Sequence, residues 1–185
     1  MNANKMTLGN VTPGKVIKIG DREYIVLGHD NGATSVITKD FVNIMPFGKD
    51  GNYATSDIRK YCNVVFYREL CKAVGVKNIV KHTVNLIADD GSDKNNEVLD
   101  NVSILTTDLY RKYRELIPAY GDWWWTATRI TTLEDEYYTV CCKVNAFGAL
   151  QWGSSFYPSG VRPFCVLKSS ITDFSVVEPL LPLFK

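Results

Sequence analysis

Between Trp123 and Leu167 the chain reads WWWTATRITTLEDEYYTVCCKVNAFGALQWGSSFYPSGVRPFCVL. Stretches rich in aromatic and β-branched residues, which favour strands, alternate here with segments rich in Gly, Pro, Asn and Ser, which favour turns. The pattern predicts four strands, at residues 123–128, 137–144, 149–152 and 161–167. The segment from Asn145 to Gly148 predicts a hairpin turn between the two middle strands. We therefore expect an antiparallel sheet in this part of the chain.

The first third of the chain also predicts β-structure. Runs rich in Val and Ile occur at residues 15–19, 23–27 and 34–38. They are separated by Gly20-Asp21 and by Asp30-Asn31-Gly32, and both segments are strong turn signals. The expected structure is a meander of three short strands.

Helical spacing begins after Ser56, a suitable N-cap residue, with Asp57 placed for the first turn. Apolar residues then recur at helical intervals as far as Gly75, so we expect one broken helix or two short ones. A further helix is expected from Thr106 or Thr107 through Leu116. The stripe of the first helical segment is predicted to face the core; its members are Ile58, Tyr61, Cys62, Val65, Phe66, Leu70, Cys71 and Val74.

Two more strands are predicted, at residues 77–87 and 102–105, with a polar surface loop at residues 89–96 between them. The carboxylates of that loop invite a calcium interpretation. Their spacing does not fit the DxDxDG pattern, however, and no bidentate Glu follows at the right distance, so we expect no metal there. The whole pattern predicts an α+β fold of antiparallel sheets with two or three flanking helices.

The chain has 185 residues, which is enough for one domain and short for two. We expect a single domain over residues 1–170. Residues 171–185 form an apolar tail that Pro179 and Pro182 interrupt. Leu180, Leu181, Leu183 and Phe184 would be costly to leave in water, so the tail is expected to dock on its own domain or on a second subunit. A homo-oligomer is thus one open alternative.

The net charge of +1 offers no general attraction to nucleic acid or to acidic membranes. The first six residues lack the apolar run of a signal peptide, and no apolar stretch approaches the roughly 20 residues that cross a bilayer. We therefore expect neither nucleic-acid nor membrane binding, and a location in the cytoplasm or on a virion.

Three motifs occur in one order: WWWTAT from Trp123 to Thr128, YYTVCCKVNAFGALQW from Tyr137 to Trp152, and GVRPFCVL from Gly160 to Leu167. Together they resemble the C-terminal half of C-type-lectin-like domains. Such domains occur in phage receptor-binding proteins diversified by retroelements and in formylglycine-generating (sulfatase-modifying) enzymes. The chain is most similar to an uncharacterised family of Firmicutes and phage domains, with matching pieces at residues 20–27, 56–59, 103–106, 124–125 and 160–163.

The resemblance implies that the segment between the Trp strand and the Gly-Val-Arg-Pro strand displays a ligand-binding surface. Aromatic and Arg side chains among small polar ones suit such a surface. Strand alternation, however, would turn about half of the candidates toward the core. The candidate residues are Arg129, Tyr137, Asn145, Phe147, Gln151, Trp152, Ser155 and Tyr157.

The Trp run and Arg162 have structural interpretations as well. Trp123, Trp124 and Trp125 cannot all point one way in a strand, so at least one must leave the core side. The Arg162 guanidinium is expected to satisfy backbone carbonyls or a carboxylate near the closing strand.

Catalysis is not expected, and neither is a cofactor. The five cysteines lack CxxC spacing and are predicted to be free thiols, most of them in the core. Only Lys143 could depress the pKa of the Cys141 or Cys142 thiol, which weakens a thiol-oxidising role of the formylglycine-generating kind. His29 and His82 have no nucleophile beside them in sequence.

Two binding roles remain. A receptor-binding protein of a virion would recognise a host protein or surface ligand and would explain the likeness to diversified lectins. A cytoplasmic phage or mobile-element protein that blocks or sequesters a host factor would better suit a free-standing domain. Calcium-dependent sugar binding is not implied, because the calcium and sugar motif of animal lectins is absent.

Overall fold

The computed structural model describes residues 5–94, 97–133 and 139–177. In these ranges the chain has an α+β fold with mostly antiparallel sheets and short helices, which confirms the predicted class. The strands are β1 (Val16–Ile19), β2 (Arg22–Asp30), β3 (Ala33–Thr38), β4 (Asn43–Met45), β5 (Ile79–Val80), β6 (His82–Asn85), β7 (Glu97–Asp100), β8 (Val102–Ile104), β9 (Trp124–Arg129), β10 (Val140–Val144), β11 (Leu150–Ser154), β12 (Ser159–Val161), β13 (Pro163–Lys168) and β14 (Ser175–Val177). The helices are α1 (Asp57–Tyr61), α2 (Tyr67–Val74) and α3 (Thr107–Tyr113), with a π-helical turn at Cys62–Phe66 and 3-10 turns at Leu8–Asn10, Tyr53–Thr55, Val76–Asn78 and Arg114–Leu116.

The larger sheet has seven strands in the order β14-β1-β2-β3-β13, with β5 and β8 both pairing with the far edge of β13. The predicted N-terminal meander is confirmed, because β1 pairs with β2 and β2 with β3, all antiparallel. Asn31 and Gly32 both have positive φ, 47° and 75°, as a two-residue hairpin turn of the twisted type requires. Beside β1, β14 brings the C-terminal end of the described chain onto this sheet, with Val16 opposite Val177.

The smaller sheet has five strands in the order β11-β10-β9-β12-β4. The predicted strand at 161–167 is wrong as a single strand. Its first residue ends β12 in the smaller sheet, Arg162 lies between, and Pro163 begins β13 in the larger sheet. Proline has no N–H to donate to a ladder and restricts the residue before it, so the strand breaks there. The Gly-Val-Arg-Pro motif is therefore the crossing point between two sheets.

The predicted first helical segment runs without interruption from Asp57 to Val74 but widens into the π-helical turn in its middle. Ser56 caps it, its hydroxyl accepting from the Arg59 N–H at 3.0 Å. The buried residues are Ile58, Cys62, Phe66 and Leu70, every fourth position, which drifts by about 40° per step around an α-helix. Widening the turn counters that drift. Val65, predicted to be core, consequently lies exposed on the outer side.

The predicted strand at 77–87 is two strands with different partners. The first, β5, pairs with β13 in the larger sheet, whereas β6 pairs with β7 in a separate two-stranded hairpin. Lys81 lies between them and is exposed. Alternation continues through the change, since Val84 is buried, so the pattern alone does not reveal the switch of partner.

An ion pair fastens the helical segment to this hairpin. The Arg59 Nε and Nη2 atoms donate to the Asp100 carboxylate at 2.9 and 2.7 Å, and Nη1 donates to the Ala54 carbonyl. The Asn63 side chain adds hydrogen bonds to the backbone of Asn101 and Val102. These contacts hold β7 and β8 against the helix.

The Trp strand separates two hydrophobic clusters. Trp125 belongs to the larger one, with Phe47 and Tyr53, and Trp124 belongs to the smaller one, with Tyr110. Trp123 is exposed, so the prediction that one of the three leaves the core is confirmed. The structural interpretation of Arg162 is confirmed as well: it is buried, its Nε donates to the Thr38 carbonyl at 3.1 Å, and its guanidinium lies 5.0 Å from the Trp124 ring centroid.

In the tail, Ile171 is buried and Phe174 packs partly buried against the larger cluster, so residues 171–177 dock on the domain. The apolar tail residues from Leu180 onward lie outside the described residues. Across the described ranges, no helix is long and apolar enough to span a membrane.

Candidate functional site

The predicted surface centres on the β10–β11 hairpin, and β11 is an edge strand of the smaller sheet. Phe147 lies in its turn with 85% of its surface exposed, and Trp152 on β11 is 61% exposed. Tyr157, in the connection from β11 to β12, is 71% exposed. Gln151 is also exposed. Four of the eight predicted residues are thus open to solvent along one edge of the sheet.

These four do not share one face of the sheet. Trp152 lies opposite Cys142 and Gln151 opposite Lys143, and directly opposed residues of an antiparallel pair share a face. Neighbouring residues of a strand point to opposite faces, so Gln151 and Trp152 flank the edge from two sides. The surface is an edge with aromatic side chains around it rather than a flat patch.

The remaining predicted residues have other placements. The Asn145 Oδ1 accepts from the backbone of Phe147 and Ala149, both at 2.9 Å, so its role is to build the turn. Arg129 is half-buried opposite Cys141. Tyr137 lies outside the described residues.

The resemblance predicts that Ser155 is displayed on the surface, but Ser155 is buried. Its backbone N–H donates to Thr139 and its carbonyl accepts from Phe47, both at 2.8 Å. These two bonds draw the chain inward directly after β11. Ser155 therefore anchors the connection that exposes Tyr157.

Three exposed apolar residues on or beside the smaller sheet are not among the candidate residues: Phe156 in the connection after β11, Trp123 directly before β9, and Ile44 on β4, at the opposite edge. Two of them have a signal in the sequence: Trp123 belongs to the run of three Trp residues, and Phe156 stands next to Tyr157. Ile44 carries none, because it comes from β4, a strand about a hundred residues upstream, and reaches the smaller sheet only through the pairing of β4 with β12.

Hydrogen bonds from Tyr110 and Gly121 fix the backbone of the hairpin turn. The Tyr110 hydroxyl donates to the Gly148 carbonyl at 2.6 Å, and the Gly121 N–H donates to the Ala146 carbonyl at 3.1 Å. Gly148 has φ 81°, a backbone conformation that favours glycine, and a Cβ there would also displace the end of the Arg114 side chain, 2.7 Å away. Phe147 is thus presented by a fixed turn, which lowers the entropy lost on binding.

All five cysteines are free thiols, and four of them are buried. Burial raises the pKa of Cys142 to about 12 and raises the pKa of its neighbour Cys141 further still. Burial likewise raises the pKa of Cys62 and of Cys165. The thiolate is the nucleophilic form, so these four positions are poorly suited to thiol chemistry.

Both histidines have structural contacts. The His29 Nδ1 lies 2.9 Å from the Thr34 hydroxyl and its Nε2 lies 2.7 Å from the Val11 carbonyl. The His82 Nε2 lies 2.8 Å from the Ser103 hydroxyl, and its ring meets Phe164 edge-on at 5.1 Å. Burial lowers the pKa of His82 below its ordinary value of 6.5, although a backbone hydrogen bond at Val80 and the Asp100 charge oppose this.

That lowered pKa predicts acid sensitivity. As pH falls below 6.5, the unfolded chain takes up a proton at His82 before the folded one does, so stability falls with pH in this window. A single group contributes at most about 1.4 kcal/mol per pH unit. Urea unfolding at pH 7 and pH 5 should therefore show a larger loss for the wild type than for His82→Gln, which does not titrate. Equal losses would contradict the assignment.

In the acidic loop at 89–94, the carboxylates of Asp89 and Asp90 bind other groups of the protein. The Asp90 carboxylate accepts from the Ser92 N–H and hydroxyl at 2.9 and 2.6 Å, and Asp89 pairs with Arg111 at 3.0 Å. Hydrogen bonds from Ser92 and Thr131 lower the pKa of Asp90. Within the described ranges, no three His, Cys, Asp or Glu side chains come close enough to hold a metal ion together.

Comparison with protein-family models, with curated proteins and with solved structures finds no match for this chain. The likeness to C-type-lectin-like domains consequently stays a prediction from the motifs.

Proposed function

We propose that this protein is a non-catalytic binding protein that recognises a protein or other ligand through the 129–157 edge, the surface around the edge strand β11 with the turn at Phe147 and the connection at Tyr157. The single observation that carries the proposal is the exposure of Phe147, Trp152 and Tyr157 around one edge strand. Large aromatic side chains exposed together cost solvation energy, and on monomeric proteins such groups mark interaction sites. Trp and Tyr are also the residues that dominate binding energy at interfaces.

The backbone segments that carry the exposed aromatic residues are fixed by hydrogen bonds, so this surface is preorganised for binding. Asn145, Tyr110 and Gly148 fix the turn that carries Phe147, and Ser155 fixes the connection that carries Tyr157. The buried thiols and the structurally engaged histidines favour binding over catalysis, because nucleophiles and bases need access and suitable pKa values.

We also infer a C-type-lectin-like fold, supported by the three motifs and by the α+β arrangement of antiparallel sheets with short helices. Two of those motifs form neighbouring strands, β9 with β12, and the third forms the hairpin beside them. Origin in a phage or mobile element, and a host protein or surface ligand as partner, are supported by the resemblance alone.

The triple variant Phe147→Ala, Trp152→Ala, Tyr157→Ala is expected to lose partner capture by at least about tenfold. Truncating an interface aromatic commonly costs 1 kcal/mol or more, about 1.4 kcal/mol is tenfold in affinity, and three act together here. The measurement is affinity capture from host lysate, identification of the captured protein by mass spectrometry, and titration of that purified protein against both forms of the chain.

A matched control removes apolar surface elsewhere. In Val76→Ala, Leu99→Ala, both positions are exposed by about three-fifths and neither lies in the smaller sheet. Both variants must melt within about 2 °C of the wild type, well under the shift that 1 kcal/mol produces in a chain of this size. Equal loss in both variants, or none in the aromatic one, would move the site away from the 129–157 edge.

A further inference from the structure

Lys143 is a buried cation in the middle of the smaller sheet. It lies on β10 between Gln151 of β11 and Trp125 of β9, and only 7% of its surface is exposed. Its Nζ is 3.9 Å from the centroid of the Trp125 ring, a cation–π contact. Gly153 makes room for it, since a Cβ there would lie 3.2 Å from both the Nζ and Cε atoms.

Among the residues that the structure describes, no carboxylate forms an ion pair with this ammonium. The ion pairs of the described residues all involve other Lys and Arg side chains, and none brings an acidic oxygen within 4.0 Å of the Lys143 Nζ. A buried charge without a counter-charge costs free energy, and an aromatic face offsets only part of that cost. Burial accordingly lowers the pKa of Lys143. Taken alone, the burial of the Lys143 ammonium lowers the stability of the fold.

The side chain lines a cavity of about 270 Å³. The other lining residues are Ile44, Asp122, Trp123, Pro158, Ser159 and Gly160. The wall combines the apolar side chains of Ile44, Trp123 and Pro158 with polar groups, among them the Lys143 ammonium and the Asp122 carboxylate. Small-ligand sites combine apolar walls with a few polar groups in this way. The volume is near the lower end of such sites, which suits a small group rather than a whole cofactor.

We propose that this cavity binds a carboxylate group, with the Lys143 ammonium as its counter-charge and Trp123 and Ile44 packing against the apolar part of the ligand. An anion relieves the unpaired buried charge, whereas a neutral amide does not. One lysine supplies a point charge without the fork of donors that phosphate recognition favours. Asp122 also lines the cavity, but it is exposed and its Oδ1 accepts from the Trp123 N–H at 2.7 Å, so water and this hydrogen bond weaken its repulsion of a carboxylate.

The carboxylate has two possible sources, a free small molecule or the C-terminus of a peptide. Phenylacetate and N-acetyl-Gly-Phe present the two, and phenylacetamide and N-acetyl-Gly-Phe-amide are their neutral counterparts. Binding of phenylacetate alone identifies a free small carboxylate, and binding of both acids identifies a site that also accepts a chain terminus.

The test is a titration of the full chain, labelled with ¹⁵N, following the indole N–H signals of Trp123 and Trp125 and the amides of Lys143 and Gly160. Phenylacetate is expected to bind at least about tenfold more tightly than phenylacetamide, as befits a charge-assisted hydrogen bond. In Lys143→Met that difference should disappear. The same variant should melt about 3 °C higher than the wild type, because an unpaired buried charge is replaced by an apolar chain of similar size.

A second variant keeps Lys143 in place. Ile44→Ala removes apolar wall from the cavity and should weaken phenylacetate and phenylacetamide alike, by about threefold or more, while the preference for the acid stays. Leu99→Ala is the control, because Leu99 is exposed to the same 61% as Ile44 but lies in the β6–β7 hairpin. Equal affinity for acid and amide, no binding of either acid, or unchanged binding in Lys143→Met would overturn the proposal. This test needs no partner protein, so it can fail while the 129–157 edge still binds one.

Discussion

Arg59→Ala is expected to lower the free energy of unfolding by about 3 kcal/mol. The substitution removes both donors from the Asp100 carboxylate, whose side chain is only 2% exposed. The carboxylate would then be left in the interior without a counter-charge, which is the costly way to break an ion pair. Loss of the Nη1 bond to the Ala54 carbonyl adds to the effect. Urea unfolding at pH 7, followed by circular dichroism, measures the change.

The chain contains a matched control for this prediction. Arg22 pairs with Glu69 at 2.7 Å, the same distance as Arg59 Nη2 to Asp100, but the Arg22 and Glu69 side chains are 37% and 47% exposed. Water screens the exposed pair, so Arg22→Ala should cost at most about 1 kcal/mol. If the two variants lose similar amounts, burial of Asp100 is not what makes the Arg59 pair important.

The parts of the fold that the sequence predicts correctly are those specified by local signals. The Asn31-Gly32 turn sets the register of β2 and β3, and Ser56 caps the helical segment through a bond to a residue three positions away. The exposure of Phe147 also follows from a local feature, since the Asn145 side chain closes the turn within four residues. Interactions between residues this close in sequence can be predicted from one sequence alone.

The parts that it does not predict depend on partners distant in sequence. Nothing near Pro163 shows that the strand before it pairs with β4 and the strand after it with β3. Ser155 is buried because Phe47, about a hundred residues upstream, donates to its carbonyl. Lys143 alternates like an exposed residue, yet Trp125 and Gly153 on the flanking strands enclose it. The motif that contains Lys143 therefore does not predict the candidate carboxylate site.

Gly160→Ala is expected to lower the free energy of unfolding by about 2 kcal/mol, the usual cost of overfilling a packed interior. A Cβ on Gly160 would lie 2.4 to 2.6 Å from three atoms of the Phe41 ring. That ring cannot retreat easily, because it stacks on Tyr120 with 4.0 Å between centroids. The Gly160 N–H also donates to the Trp123 carbonyl at 2.9 Å, and this hydrogen bond fixes the backbone against the Trp strand. The glycine of the Gly-Val-Arg-Pro motif is therefore required by a close approach.

Two comparisons separate this clash from a general effect of removing a glycine. Gly28 sits in β2, and a Cβ there would meet Tyr113 at an ordinary 3.6 Å, so Gly28→Ala should change stability by less than about 1 kcal/mol. Phe41→Leu shortens the ring that blocks Gly160. Combined with Gly160→Ala, it should recover at least about 1 kcal/mol relative to the sum of the two single changes, since residues in contact are coupled. Additive losses would mean that the strand is strained by something other than Phe41. A recovery would identify the contact between Phe41 and Gly160 as the reason that this crossing between the two sheets needs a glycine.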